Sequence, residues 1–391
     1  MSGLFAGLML RAQGWRVDIF EKVEGELSGR GAGIVAQPEI LAILRDLGLT
    51  AGDLGVPVQK RRMFDASGAI TLETECPQVM TAWERVYRIL RDAFPPAHYH
   101  RGRSLRAVQQ DGDGVTAVFA DGAQERGDLL LGADGIRSTI RGLCAPGCEP
   151  LYAGYVAWRA LIAESAMPEN VHRDIFPYMA FCLPAGEQML GYPVAGADND
   201  LRPGHLRYNL VWYRPANEQT ELAALLTDES GVTHSTSIPP PLISKASIAA
   251  MRQAAKRLLA PQFADAVALV EQPMLQPIYD LESQALAFGR IAILGDAAFV
   301  ARPHVGAGVA KAAGDAQALV NALLADDDVP VALRRYESER LPAGRLMVQR
   351  ARHLGAYLQA ARSAEETAHS ARHSIPEAVL DETATLDFLY A

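Results

Sequence analysis

The 391-residue chain contains few cysteines, no excess of positive charge and no long apolar run. Its four cysteines form no Cys-x-x-Cys pair, so we predict buried thiols in a reducing cytosol and no metal site. The net charge of −9 argues against a nucleic-acid-binding surface, which needs clustered Lys and Arg. Because no apolar run approaches the roughly 20 residues that cross a bilayer, we expect a cytoplasmic protein without a membrane span.

A complete glycine fingerprint for a dinucleotide is also absent. The first residues predict a helix that ends near Gly14, followed by a strand at residues 17–21 with an acid at its end. Gly3 fits the last glycine of Gly-x-Gly-x-x-Gly, and Glu21 stands where an acid bonds ribose hydroxyls. We therefore expect a strand and two further glycines upstream of Met1. Since there is no second complete fingerprint, a nicotinamide donor would bind only transiently, which argues against a simple NAD-dependent dehydrogenase.

A strand, an acid, a proline turn and a glycine-opened helix follow one another between residues 290 and 319. The apolar run has strand length and ends at Gly295-Asp296, and open parallel sheets bind ligands beyond the ends of such strands. After the turn, Gly306 and Gly308 lead into an alanine-rich helix. Glycines at a helix start let a flat ligand lie against the backbone, where unpaired N–H groups face negative charge. This stretch predicts a cofactor site.

These motifs, with a second glycine motif at residues 132–138, resemble the flavoprotein aromatic hydroxylases of the p-hydroxybenzoate hydroxylase fold. The resemblance covers about residues 1–350. It implies bound FAD, NADH or NADPH as the electron donor, and a flavin hydroperoxide that transfers oxygen from dioxygen to an electron-rich aromatic ring. Phe299 and Ala310 stand where the family usually has histidine and asparagine, and Trp83 stands where a cofactor-binding arginine or glutamine is usual.

The resemblance also implies which residues contact the cofactor. Asp296 would bind the ribityl chain, while Pro303 and the helix start would border the isoalloxazine ring. Asp134 either bonds ribose or caps the helix that follows it. Arg30 has an alternative as a solvated side chain of a flexible turn. The predicted FAD contacts are Gly3, Glu21, Arg30, Gln37, Asp134, Asp296, Pro303, Gly306, Ala307 and Gly308.

The fold class we predict is α/β (α+β), with two domains and a tail. A Rossmann-like FAD-binding domain comprises residues 1–59, 95–150 and 277–345. An inserted, mainly antiparallel β-sheet substrate domain comprises residues 60–94 and 151–276, because this part alternates as sheet. Residues 346–391 form a C-terminal helix and a polar tail.

The candidate catalytic residue is His304, because a histidine near its ordinary pKa of ~6.5 suits the deprotonation of a ring hydroxyl. The alternative is that His304 only hydrogen-bonds the loop backbone. Tyr192, Tyr208 and Trp212 are candidates for the substrate pocket, since alternate residues of a strand share a face. Large aromatics on a sheet face are also often plain core.

Several readings of function stay open from the sequence. The phrases GIVAQPE, YAGYVAWR and RPHVGAGVAKA are similar to the 2,6-dihydroxypyridine hydroxylase branch, which implies a hydroxypyridine-like substrate. A phenolic acid, salicylate-like or hydroxynicotinate-like, is the nearest alternative, with Arg159 or Arg302 pairing its carboxylate. Another alternative is a truncated homologue that no longer holds FAD and acts only as a binding protein. A third is a flavin oxidase or dehydrogenase that inserts no oxygen. A homodimer is one option for the assembly.

Overall fold

The structure, a computed structural model, describes residues 1–25, 27, 33–49 and 53–389. The predicted FAD contact Arg30 lies outside these residues. The α-helices in the described part are α1 (Ser2–Ala12), α2 (Pro38–Asp46), α3 (Trp83–Ala93), α4 (Thr139–Cys144), α5 (Glu169–Ile175), α6 (Ala223–Leu225), α7 (Lys245–Leu258), α8 (Pro261–Ala268), α9 (Gly308–Ala325), α10 (Val329–Gly355), α11 (Ala364–His373) and α12 (Pro376–Glu382). The strands are β1 (Ile19–Glu21), β2 (Gly33–Val35), β3 (Val56–Phe64), β4 (Ile70–Ala82), β5 (Tyr99–Arg101), β6 (Leu105–Gln110), β7 (Val115–Phe119), β8 (Gln124–Gly127), β9 (Leu130–Gly132), β10 (Leu151–Ala163), β11 (Met179–Cys182), β12 (Gln188–Val194), β13 (Arg207–Pro215), β14 (Met274–Glu282), β15 (Ala287–Phe288), β16 (Ile291–Ile293) and β17 (Phe299–Val300).

A mainly antiparallel sheet is the largest element among the described residues. Its strand order is β17-β14-β10-β13-β12-β11-β3-β4-β2, and only the β11–β3 pair is parallel. Alternate side chains of each strand point to opposite faces. Helices α5, α7 and α8 cover one face, which we call the outer face. The C-terminal segment packs on the other, the inner face.

The parallel strands form two separate pieces. β1 pairs with β5, while β9 pairs with β16, which carries the antiparallel β15 on its other side. Within the described residues no strand joins the two pieces, and their helices share one apolar core. Helix α1 packs against α9, and α9 packs against α10. The partial glycine fingerprint at Gly3 and the predicted cofactor site at residues 290–319 therefore lie in the same unit.

The large sheet extends across the predicted boundary at residues 33–35, 56–59, 277–282 and 299–300, and the helix at residues 83–93 lies outside the substrate domain predicted for it. Strands β2 and β17, the start of β3 and the part of β14 from residue 277 onward belong to the large sheet, although the sequence pattern placed these residues with the FAD-binding domain. Helix α3 contributes Val86, Tyr87 and Leu90 to the core that contains α1, not to the substrate domain. The apolar face of a helix is visible in sequence, but the core that it joins is set by long-range packing.

The C-terminal tail is folded, and part of it is core. Tyr357 and Leu358 are buried, and α12 contributes Val379 and Leu380 to the apolar cluster on the inner face. A capping box at Ser363 and Glu366 starts α11. Among the described residues, no helix has the length and apolar character that crossing a membrane requires.

Candidate functional site

The strand-to-turn junction at Gly295-Asp296 is built as the sequence predicts. All residues of β16 are buried, in parallel register with β9. Gly295 has a positive φ of 64°, and a Cβ on it would lie only 2.4 Å from Ser2 Oγ in the first turn of α1. A side chain there would therefore push α1 away. The next residue, Asp296, has 56% of its side chain exposed, so its carboxylate is available to a ligand.

The helix start that follows offers backbone donors. Pro303 begins a single 3-10 turn, and Gly306 adopts the left-handed region with φ 62°. Helix α9 then begins after Ala307 without a side-chain cap. The first N–H groups of a helix have no intrahelical acceptor, so here they are free to face a negatively charged group. Pro303, Gly306 and Gly308 each keep some exposure, whereas Ala307 is buried.

A buried lysine lies beside Asp296. Only 2% of the Lys311 side chain is exposed, and its Nζ is 3.5 Å from Asp296 Oδ1. Among the described residues this Nζ has no hydrogen-bond acceptor, although a buried ammonium group ordinarily needs acceptors. Residues of α9 point back toward its start, which aims Lys311 at the same junction. The uncapped helix start, the exposed carboxylate and the ammonium group without a hydrogen bond fit the polar parts of FAD.

The other predicted cofactor contacts lie at the same end of the unit. The first turn of α1, which contains Gly3, packs against Ala133. Glu21 ends β1, and one of its oxygens accepts the Val23 N–H at 2.9 Å. Burial lowers the pKa of the Met1 amino group, and the negative charges of Asp296 and Glu21 oppose this lowering. Both carboxylates therefore lie near the start of α1.

Asp134 has a local role that the structure makes visible. Its Oδ2 accepts the N–H of Thr139 at 2.7 Å and of Ile140 at 3.3 Å, and Ser138 Oγ donates to its other oxygen. Asp134 thus helps to cap α4, which is one of the two roles expected for it. Its contact with FAD stays a prediction.

Gln37 is buried and its amide donates to the carbonyl of Ala384 at 3.2 Å. Gln78 donates to the same carbonyl, and the Ala384 N–H donates to the carbonyl of His304 at 2.7 Å. A Cβ on Gly306 would lie 2.7 Å from the Ala384 side chain. The C-terminal segment therefore lies directly against the turn at Pro303.

The inner face of the large sheet presents a polar cluster to this turn. Tyr155 Oη lies 2.8 Å from His304 Nε2, and the Tyr213 ring lies 4.5 Å from the His304 ring. Arg159 stands on the same face of β10 as Tyr155, close enough to Tyr213 for a hydrogen bond. Its Nε is buried and has no hydrogen-bond acceptor in the part of the chain that the structure describes. The charge of Arg159 also acts on Tyr192, so Tyr192 belongs to this cluster.

Tyr208 and Trp212 lie on the opposite, outer face. Tyr208 donates to the carbonyl of Ile175, and Trp212 Nε1 donates to Glu187 at 2.8 Å. Both are fully enclosed in the outer core. They share a face, as the alternation predicts, but it is not the face of His304, so the geometry argues against both as lining of a pocket there.

His304 is buried, with 2% exposure, and its charged form is disfavoured. Burial, with the nearby charges of Arg302 and Arg159, lowers the pKa of His304 to about 3. A general base works best with a pKa near the working pH. The expectation of an ordinary histidine pKa is therefore wrong, and this imidazole stays neutral and exchanges a hydrogen bond with Tyr155.

Replacing His304 by Asn should make the free energy of unfolding depend less on pH between about 3 and 6.5. The unfolded chain protonates this histidine below its ordinary pKa of 6.5, whereas the folded protein leaves it neutral down to about 3. The unfolded state then binds more protons, so the free energy of unfolding falls as the pH decreases through this window, by at most about 1.4 kcal/mol per pH unit. Urea unfolding at several pH values measures the slope. The exposed His205 provides the control variant His205→Asn; an unchanged slope in His304→Asn would contradict the assignment.

The guanidinium group of Arg302, unlike that of Arg159, is held by hydrogen bonds on all three nitrogens. It donates to both oxygens of Asp280, the shortest bond being 2.8 Å, and to Gln359 Oε1 at 3.0 Å. The expectation that Arg302 could pair a substrate carboxylate is therefore not favoured.

The sequence analysis did not identify Tyr155 and Tyr213 as members of the cluster. The period of two in YAGYVAWR does, however, place Tyr155 and Arg159 on one face.

An open depression of about 690 Å³ lies elsewhere, at the surface loop of residues 198–203. Asp53, Arg85 and Asp200 are among its lining residues, and it contains none of the predicted site residues. A wide, solvent-filled depression does not exclude water from a reaction. The converging side chains at the Pro303 turn are the better candidate site.

Comparison with known proteins gives consistent results. A family described as FAD binding domain matches residues 1–156 and 243–351, and one described as FAD binding domain-like matches residues 152–280. The 2,6-dihydroxypyridine 3-monooxygenase of Paenarthrobacter nicotinovorans is 30% identical over 360 residues, which cover 92% of this chain and 89% of that enzyme. The FAD-dependent urate hydroxylase of Klebsiella pneumoniae is 27% identical over 372 residues, with coverages of 90% and 86%.

Solved structures share the whole fold. The structure of 2,6-dihydroxypyridine-3-hydroxylase from Arthrobacter nicotinovorans has a TM-score of 0.86 at 30% identity, covering 93% of this chain and 91% of that one. Klebsiella pneumoniae HpxO complexed with FAD and uric acid has a TM-score of 0.75 at 22% identity, with coverages of 97% and 90%. The latter likeness concerns the fold alone.

Proposed function

Since this chain belongs to the FAD-binding domain family, we propose that it is a monooxygenase that hydroxylates a small, electron-rich ring of the hydroxypyridine type. It uses FAD, dioxygen, and NADH or NADPH. Bound FAD would take up two electrons from NADH or NADPH and use them to activate dioxygen. The other parts of the reaction belong to the protein: holding the cofactor, orienting the ring, stabilising its anion and excluding water.

The cofactor end of the site is supported by the junction at Asp296. Its exposed carboxylate would accept hydrogen bonds from the hydroxyls of the ribityl chain, and Lys311 adds a positive charge beside it. The N–H groups at the start of α9 would stabilise negative charge on the flavin by about 0.3–2 kcal/mol. Glu21, at the end of β1, and Gly3, in the first turn of α1, would hold the adenosine end.

The substrate end is supported by one observation above all, the unpaired Nε of Arg159 inside the tyrosine cluster. A hydroxypyridine that has lost the proton of a ring hydroxyl is an anion, and its oxygen can accept a hydrogen bond from this guanidinium group. Neutral His304 and Tyr155 provide one donor and one acceptor for the other polar atoms of the ring. Buried apolar neighbours on the inner face, such as Phe181 and Leu190, keep water from the reacting atoms.

Replacing Arg159 by Met should raise KM for the ring substrate far more than it lowers kcat. Hydrogen bonds to a charged group contribute about 1.5–3 kcal/mol, which corresponds to a change of roughly 10- to 150-fold. Steady-state oxidation of NADH, with the product quantified by mass spectrometry, measures both constants. Arg214→Met is the matched control, because Arg214 lies on the adjacent strand but pairs with Glu187 at 3.1 Å on the outer face. An Arg159→Met enzyme with the wild-type KM would refute this assignment.

A panel of hydroxypyridines and phenolic acids tests the substrate class. We expect a hydroxylated product from a hydroxypyridine, and product only from salicylate-like or hydroxynicotinate-like acids would favour the alternative. NADH consumption without an oxygenated product would point to an oxidase. The homodimer and the cytoplasmic location stay predictions; light scattering of the purified holoenzyme measures the former.

A further inference from the structure

We propose that His353, Glu365 and His369 bind one divalent transition-metal ion of the zinc class, at the junction between α10 and α11. This site is separate from the hydroxylation chemistry proposed above. One ligand atom from each of the three side chains lies within 4.8 Å of the other two. No other set of three such ligands occurs among the described residues. Glu365 and His369 are four residues apart, but His353 precedes Glu365 by twelve residues, so the spacing in the sequence does not reveal the set of three.

The helices bring these side chains together by simple periodicity. Glu365 and His369 stand one turn apart on α11, on the same helix face, with His369 Nε2 4.0 Å from Glu365 Oε1. His353 comes from the last turn of α10. The rings of His353 and His369 are stacked, with centroids 3.5 Å apart and planes at 10°.

Neutral imidazole is the form of histidine that binds a metal. The ring of His373 is nearly parallel to the other two, with its centroid 6.5 Å from that of His353 and 6.2 Å from that of His369. Its Nδ1 is held by Glu382 at 2.5 Å, so we assign it as a neighbour and not as a ligand.

The donor set defines the class of ion. Two imidazoles and one carboxylate suit zinc, which is commonly held by three protein ligands and a water molecule; copper and nickel accept the same donors. Calcium and magnesium prefer oxygen ligands throughout and should bind poorly. With zinc–ligand distances of about 2.0–2.2 Å, tetrahedral ligand atoms lie roughly 3.3–3.5 Å apart. A metal ion lies in the plane of each imidazole that binds it, and the planes of two stacked rings do not meet. At least one ring therefore has to turn about its side-chain torsions, and the ligand atoms, which lie within 4.8 Å of one another, have to approach to that spacing. Partly exposed side chains on two helices have the freedom to do both.

A metal ion here would fasten the C-terminal segment. It would link α10 to α11, which leads through α12 to Ala384, the residue bonded to the His304 carbonyl and to Gln37. Zinc binding should therefore restrain the segment that lies on the Pro303 turn. Arg362 and Arg372, on the segment between these contacts, are trypsin sites that report this restraint.

The experiment uses tag-free holoenzyme that has been treated with a chelator and then dialysed against zinc chloride. We expect one zinc per chain by elemental mass spectrometry, and affinity measured by competition with a chromogenic chelator. His353→Asn and His369→Asn should each weaken binding at least about tenfold, and Glu365→Gln somewhat less. His205→Asn, an exposed histidine outside the cluster, should bind zinc as the wild type does.

Trypsin digestion gives a second readout. Zinc should slow cleavage at Arg362 and Arg372 in the wild type but not in His369→Asn, and calcium should have no effect. Retained flavin and an unchanged unfolding midpoint establish that a variant is folded; Glu365→Gln alters an exposed side chain and keeps the test usable if a histidine variant is unstable. Absence of bound zinc, or equal affinity in the wild type and all three variants, would overturn the proposal.

Discussion

Asp296→Ala should lose FAD affinity by roughly 10- to 150-fold, because hydrogen bonds from the ribityl chain to a carboxylate contribute about 1.5–3 kcal/mol. The carboxylate is exposed at the end of a buried strand, and its ion pair with Lys311 spans 3.5 Å. Its removal also leaves the buried Lys311 ammonium group without this negative charge, which lowers the stability of the junction. Asp296→Asn, which keeps the acceptor oxygen but not the charge, should have an FAD affinity between those of the wild type and Asp296→Ala.

Flavin fluorescence quenching during FAD titration of the stripped protein measures this affinity. Asp327→Ala is the matched control, since Asp327 is an exposed aspartate beyond the opposite end of α9. We expect the control to bind FAD as the wild type does. An Asp296→Ala protein that retains FAD with the wild-type dissociation constant would place the cofactor elsewhere.

Arg302→Met should lower the free energy of unfolding by about 3–5 kcal/mol, the range for breaking a buried ion pair from one side. Only 3% of the Arg302 side chain and 6% of the Asp280 side chain are exposed. The substitution leaves the Asp280 carboxylate buried with Arg352 as its remaining cationic neighbour, at 3.3 Å. It also removes the donor to Gln359, at the point where the chain leaves α10 for α11.

Guanidinium chloride unfolding of the holoenzyme at fixed FAD concentration gives the change. Arg352→Met is the control, because its pair with Asp280 is more exposed and such pairs contribute about 0–1 kcal/mol. Equal stability losses in the two variants would mean that burial of the Arg302 pair is not what makes it important. A wild-type unfolding midpoint in Arg302→Met would contradict the prediction outright.

The sequence predicted local features well because they depend on neighbouring residues. Helix α9 begins at Gly308 after the proline turn, and α1 ends at Ala12, near the predicted end at Gly14. The exposed acid after β16 is likewise a local property. The resemblance, carried by these same local motifs, supplied the family, and the comparisons confirm it.

What the sequence could not predict depends on long-range packing. Alternation shows that Tyr208 and Trp212 share a face, but only the fold shows that Tyr155, Tyr213 and Arg159 stand on the face toward His304. The pKa of His304 follows from its burial between elements distant in sequence. The folding of the C-terminal tail could not be predicted either, because its composition is polar and only a few of its apolar residues pack on the sheet.

The most direct test of the account is turnover under isotopically heavy dioxygen. FAD-loaded protein receives NADH and a dihydroxypyridine, and the product is weighed by mass spectrometry. We predict one heavy oxygen atom in each product molecule, at a carbon that previously carried hydrogen. NADH oxidation that yields only hydrogen peroxide, or a product whose added oxygen comes from water, would contradict the assignment of the Pro303 turn and the Arg159 cluster as a hydroxylation site.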